Sequence, residues 1–134
     1  MSKEDLSVDV LVKHQISVEQ IRGLLCCALE GGVNYWADYK VGFSPSEKDL
    51  DDEPGGVWKG LHHYWIEHPK YMLVVTNRIA GIEHKINYSR LKLGVIDLAK
   101  KYPNHIVSIL NEGTDAEVGD AFLQCCLLGD IYYG

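Results

Sequence analysis

The sequence predicts a single α+β domain over residues 1–134, with a mainly antiparallel sheet and about three helices. Three observations carry this. The 134 residues are 46% hydrophobic and 24% charged, the composition of one globular domain, and a chain of this size buries roughly 70% of its unfolded surface without disulfide or metal staples. Two Ser/Thr-x-x-Glu/Gln boxes each precede an apolar stripe at helical spacing. The strand-like runs come bunched rather than alternating regularly with helices, which disfavours a doubly wound fold.

Taken in order, Leu6 to Val12 alternates apolar and polar and predicts a first strand. Ser17 and Gln20 form a capping box, and Val18, Ile21, Leu24, Leu25, Ala28 and Leu29 give the following helix one apolar face. Gly31 and Gly32 are expected to stop it in a left-handed cap. Asn34 to Phe43 is aromatic and alternating, with Tyr35, Ala37, Tyr39 and Val41 on one strand face and Trp36, Asp38 and Lys40 on the other. A long acidic loop at about 44–60 contains Trp58 and the run Asp49, Asp51, Asp52 and Glu53. Two strand-like runs, Leu61–Ile66 and Tyr71–Thr76, predict an antiparallel pair, and Ile82 to Tyr88 a further strand. Ser89 is the expected cap of a helix from Leu91 to Tyr102 that Pro103 stops. His105 to Leu110 predicts a helical turn. Thr114 and Glu117 form the second box, with Asp115 in the first turn of a last helix that ends at Gly129. Ile131 to Tyr133 predicts a short terminal strand.

Composition also excludes function classes. Thirteen Lys plus Arg against nineteen Asp plus Glu leave a net charge of −6, which argues against direct nucleic-acid binding through phosphate neutralisation. The N-terminus lacks the apolar core of a secretory signal, and no apolar run approaches the roughly 18 residues of a membrane span, so a cytoplasmic protein with no membrane partner is expected. Cys26-Cys27 and Cys125-Cys126 are adjacent pairs in apolar stretches, not CxxC motifs, and predict buried reduced thiols. His62 and His63 point to opposite faces of a strand, so with His68 they make no metal site. No nucleotide-loop, dinucleotide, esterase or zinc-protease motif is present. The expectation is therefore no cofactor, no metal and no catalytic residue.

What remains is a concentration of aromatic residues beside planar polar ones. Asn34-Tyr35-Trp36 supplies flat faces and an amide, and Trp58 and Tyr64-Trp65 supply further rings. Asp120 with Gln124 at i+4 lays a polar stripe beside the buried side of the last helix. Such groups suit a nucleotide-derived ligand, whose base stacks on rings and whose edge is read by amides and carboxylates. For each ring the alternative is ordinary core or sheet-face packing. The candidate ligand-binding residues are Asn34, Tyr35, Trp36, Asp120 and Gln124.

The stretch Glu30-Gly31-Gly32-Val33-Asn34-Tyr35-Trp36 and the ending Asp115-Ala116-Glu117-Val118-Gly119-Asp120-Ala121-Phe122-Leu123-Gln124 through Gly129-Asp130-Ile131-Tyr132-Tyr133-Gly134 resemble a family of small proteins of tailed phages and prophages. Its members carry an EGGxNYW segment after the first helix and a C-terminal DAExxDxxxQ...GxIxYG segment. Leu91 to Asn111 is similar to the family's helix and following turn, whereas residues 44–88 depart most. The resemblance implies an accessory phage gene whose product acts in the host bacterial cytoplasm, a context in which counter-defence factors are common. The expected function is a non-enzymatic homo-oligomer that sequesters a nucleotide-derived immune signal. Trp36, Tyr35 and Asn34 would stack and read the base, and Asp120 and Gln124 would contact sugar or base hydroxyls. The alternative is an acidic inhibitor that binds a host defence or nucleic-acid-binding protein through the 49–53 run, and a small nucleotide-processing enzyme stands third.

Overall fold

The computed structural model describes residues 6–8, 13–41 and 66–134. Within them the chain runs α1 (Val18–Cys27), a π-helical turn (Ala28–Gly32), β1 (Ala37–Val41), β2 (Leu73–Asn77), β3 (Ile82–Ile86), α2 (Tyr88–Lys101), α3 (Pro103–Leu110) and α4 (Ala116–Leu128). The three strands form an antiparallel sheet in the order β1-β2-β3, so the α+β class holds with four helices among the described residues. No helix among them is long and apolar enough to cross a membrane.

The first capping box forms as predicted: Ser17 Oγ accepts from Gln20 N at 3.1 Å, and Gln20 Oε1 accepts from Ser17 N at 2.7 Å. Its end differs. Gly31 is extended at φ 166° rather than left-handed, and the chain leaves the helix through the π turn. The predicted first strand is absent where it is described: Leu6 and Val8 are exposed without strand structure, and residues 9–12 lie outside the described residues. So do the acidic loop, Trp58, His62, His63, Tyr64 and Trp65.

In the sheet, Leu73, Val75 and Asn77 of β2 point inward beside Ala37 of β1 and Ile86 of β3, while Asp38, Lys40, Glu83 and Lys85 line the exposed side. β1 and β3 occupy both edges of β2, and of the run expected to pair with it residues 61–65 lie outside the described residues. Ile66 to Lys70 is turn and bend, with Ile66 buried. Two caps shift by one or two residues. Asn87, not Ser89, caps α2 through Arg90 N at 3.1 Å, and Asp115, not Thr114, caps α4 through Val118 N at 3.0 Å. Pro103 ends α2 but also opens α3, where its missing N–H costs nothing. Gly129 closes α4 in the predicted left-handed conformation, φ 77°.

Helix α4 is the centre of the molecule. From Val118 to Leu127 every residue except Asp120 is buried, which an amphipathic surface helix would not allow. It packs on α1, the π turn, α2 and β3. The approach to the π turn is set by two glycines: a Cβ on Gly32 would stand 2.5 Å from Ala116 O, and one on Gly119 would stand 2.5 Å from Ala28 N. Both contacts are to backbone, which cannot rotate away. Gly119→Ala should therefore lower stability by about 1–3 kcal/mol or more through overpacking. Gly23→Ala, in α1 with nothing within 4 Å of the new methyl, should raise it by about 0.5–1 kcal/mol. Denaturant midpoints of the two variants check this opposition.

Candidate functional site

Two segments more than eighty residues apart in sequence converge here. The backbone after the π turn is folded by Val33 O, which accepts from Trp36 N at 3.0 Å and Ala37 N at 2.9 Å. This turn sends Trp36 inward beside Ala37, so both are buried, instead of on opposite faces as strict strand alternation predicts. Opposite it, the Gly119 crossing brings the next residue of α4, Asp120, against the turn.

The Asp120 carboxylate accepts three hydrogen bonds: from Tyr35 Oη to Oδ2 at 2.6 Å, from Trp36 Nε1 to Oδ1 at 2.8 Å, and from Gln124 Nε2 to Oδ1 at 2.9 Å. Gln124 has no exposed surface, and its amide is fully used. Its Oε1 accepts from Tyr132 N at 2.7 Å and Tyr133 N at 2.9 Å, and its Nε2 also reaches Tyr133 O at 3.2 Å and Tyr35 Oη at 3.4 Å. Two backbone donors can be met only by the oxygen, so the amide's orientation is fixed. The Tyr133 ring lies 5.3 Å from Trp36, tilted by 39°, and its hydroxyl accepts from Asn77 Nδ2 at 3.0 Å. Asn77 is held in turn, its Oδ1 accepting from Ile79 N and Ala80 N, both at 3.0 Å.

Tyr35, Trp36, Asp120 and Gln124 thus belong to one cluster. Trp36 is wholly enclosed, whereas Tyr35 is 50% exposed with its hydroxyl turned inward. Asn34 is exposed at the rim, and its backbone carbonyl accepts from the Arg78 guanidinium, which also pairs with Asp38 at 2.7 Å. Beside the cluster lies a pocket of about 90 Å³ lined by His105, Glu117, Asp120, Ile131, Tyr133 and Gly134. The terminal residues do not form the expected strand. They lie as a strap, anchored where Asp130 accepts from Ile131 N at 2.7 Å and from the Tyr102 hydroxyl, and where Lys101 Nζ donates to Gly129 O at 2.6 Å.

Tyr133 and Asn77 were not singled out as site residues by the sequence, whereas Arg78 is one of the cations, with Lys40, Lys59 and Arg90, that the sequence offers as local phosphate donors. Tyr133 carried one available signal, its place in the terminal motif, but Asn77 looks like an ordinary strand-end residue. His68 serves a local turn, its Nδ1 accepting from Lys70 N at 3.1 Å. Among the described residues no group of three or more His, Cys, Asp and Glu is placed to hold a metal ion. Burial, with the neighbouring Glu30 in the first case, pushes the thiols of Cys26 and Cys125 up to about 11, and burial raises that of Cys126 well above the usual thiol range. These sulfurs are protonated at neutral pH and poor nucleophiles. No family model, curated protein or solved structure matches the chain.

The cluster has two measurable signatures. Asp120→Asn turns an NH₂ toward donors and should cost about 1.5–3 kcal/mol, the range for hydrogen bonds to a charged group, as read from denaturant unfolding. Partial burial, followed by the bond to Asp120 and its charge, pushes the Tyr35 hydroxyl up from 10.0 to about 12, with Gln124 opposing. A raised folded-state value means that this bond stabilises fully below pH 10 and is lost as pH rises through 12. Tyr35→Phe should remove that share of the alkaline stability loss, seen by subtracting the variant's stability-against-pH curve from that of the native chain.

Proposed function

We propose that this protein is a non-enzymatic phage counter-defence factor that binds and sequesters a nucleotide-derived immune signal in the bacterial host's cytoplasm, acting as a homo-oligomer. One observation supports this more than any other: Tyr35, Trp36, Asp120 and Gln124 meet in one hydrogen-bonded aromatic, carboxylate and amide cluster, with Asn34 and Arg78 at its exposed edge. Rings supply stacking surface, the amide and carboxylate supply directional partners for a base or sugar, and the guanidinium supplies charge for a phosphate. Arg78 would meet a phosphate in exchange for its ion pair with Asp38, so the charge is supplied locally although the chain as a whole is acidic.

Pockets for small molecules usually enclose about 300–1,000 Å³, and the one against the cluster is about 90 Å³. A nucleotide therefore projects beyond a single copy, its base toward the cluster and its phosphates past Arg78, where a second copy encloses them. Sequestration also predicts stoichiometric capture without turnover, unlike an enzyme of the same specificity.

The test is to incubate the protein with lysates of cells whose nucleotide-signalling defences are active, repurify it, denature it by heat and identify what it releases by mass spectrometry. The expected result is one unmodified nucleotide per site. Tyr35→Ala should weaken capture roughly ten- to hundredfold, the range for removing one base-stacking ring. A protein that comes back empty from every such lysate, or releases only a chemically altered nucleotide, overturns the proposal.

A further inference from the structure

The strap from Gly129 to Gly134 is held in an unusual way. Its own backbone donors at Ile131, Tyr132 and Tyr133 are met by the side chains of Asp130 and Gln124, and the residues after Gly129 make no backbone-to-backbone hydrogen bond among the described residues. A segment held only by side chains is released without breaking a ladder or a helix. It begins at a left-handed glycine, Gly129, and its first anchor, Asp130 with Tyr102 and Lys101, is set at the C-terminal end of α2.

What the strap offers the cluster is specific. Tyr133 lays an aromatic ring against Trp36. The backbone of Tyr132 and Tyr133 presents to the Gln124 amide two N–H donors, both taken by Oε1, and one carbonyl, taken by Nε2. The other Nε2 hydrogen stays with Asp120. An aromatic face beside two donors and one acceptor is also what a guanine base presents along its N2–H, N1–H and O6 edge. Adenine offers one donor beside its ring acceptor, and would leave an Oε1 lone pair buried without a partner, which is costly.

We propose that the strap is a built-in stand-in for the ligand. Tyr133 occupies the stacking place on Trp36 and the Tyr132–Tyr133 backbone occupies the reading place at Gln124, both of which a guanine base takes when the strap swings out at Gly129. This rests on the sequestering function proposed above and names its base. It also accounts for two facts that otherwise sit badly with a ligand site, the complete burial of Trp36 and Gln124 and the small volume of the adjoining pocket. Ligand binding then competes with strap closure, and the observed affinity is the intrinsic one reduced by the fraction of open molecules.

The experiment uses the full chain with GMP, AMP, cyclic di-GMP and cyclic di-AMP as probes, measuring Kd by calorimetry and hydrogen exchange at the Tyr132 and Tyr133 amides. A second protein, Tyr102→Phe, loosens the strap's anchor without touching the cluster. Expected are guanine over adenine by roughly ten- to hundredfold, the scale of one well-formed bidentate base contact, faster exchange at both amides when the guanine probe is bound, and a Kd about three- to tenfold tighter in Tyr102→Phe. Guanine binding with both amides still protected, or with an affinity that Tyr102→Phe does not tighten, overturns the stand-in role while leaving sequestration intact. Equal binding of guanine and adenine overturns the base assignment. If none of the four probes binds either protein the inference fails outright, and release from lysates decides sequestration separately.

Discussion

The Asp120 carboxylate is the point on which the rest of the arrangement depends. It draws Tyr35, Trp36 and Gln124 onto one residue, and a partly buried carboxylate such as this one is favoured where donors surround it. Those donors come from opposite ends of the chain, so closing the cluster ties the turn after the first helix to the last helix. The backbones can come that near only because Gly32 and Gly119 have no side chains. Packing and polar satisfaction are thus one constraint. The glycines set the distance, and the carboxylate makes that distance favourable.

From this centre the ordering spreads outward. Gln124, oriented by Asp120, fixes the backbone of Tyr132 and Tyr133. Tyr133 in turn reaches Asn77, whose side-chain oxygen organises the turn between β2 and β3. A chain of hydrogen bonds therefore runs from the helical layer to the end of the sheet where β2 turns into β3. Such a network rigidifies when every member is satisfied, and Gln124 has each of its polar atoms matched. On the proposal that a ligand displaces the strap, that ligand must match those atoms one for one or leave them stranded.

Much of this was legible in the sequence because the determinants are local. The Ser17 box, the left-handed Gly129 and the apolar stripe of α2 depend on residues within a turn of one another. The α+β class followed from the grouping of strand and helix signals. The choice of Asp115 over Thr114 and of Asn87 over Ser89 did not, since neighbouring residues of equal capping ability are separated only by where the helix axis has to lie. Strand pairing was also out of reach: β2 takes β1 as a partner across a span of more than thirty residues, which no periodicity encodes. For the site, the sequence identified Tyr35, Trp36, Asp120 and Gln124 by chemical type, but not their convergence, nor that Gln124 would be engaged by the strap. Asn34, chosen for its amide, contributes its main-chain carbonyl instead.

The π turn between Ala28 and Gly32 bears on how such a protein tolerates change in length. A π turn accommodates one residue more than the α-helical path, and in an α-helix each residue advances the chain by about 100°. Glu30 and Gly31 leave the helical conformation inside it, so removing a single residue there would change the direction in which the chain departs from the helix and take the Tyr35 hydroxyl and the Trp36 indole away from their shared acceptor. Residues 6–8 and 13–15, exposed ahead of the first helix, carry no such registration. Insertions and deletions among natural variants should accumulate before Ser17 and be excluded from the five residues of the π turn, whatever those five residues are replaced by.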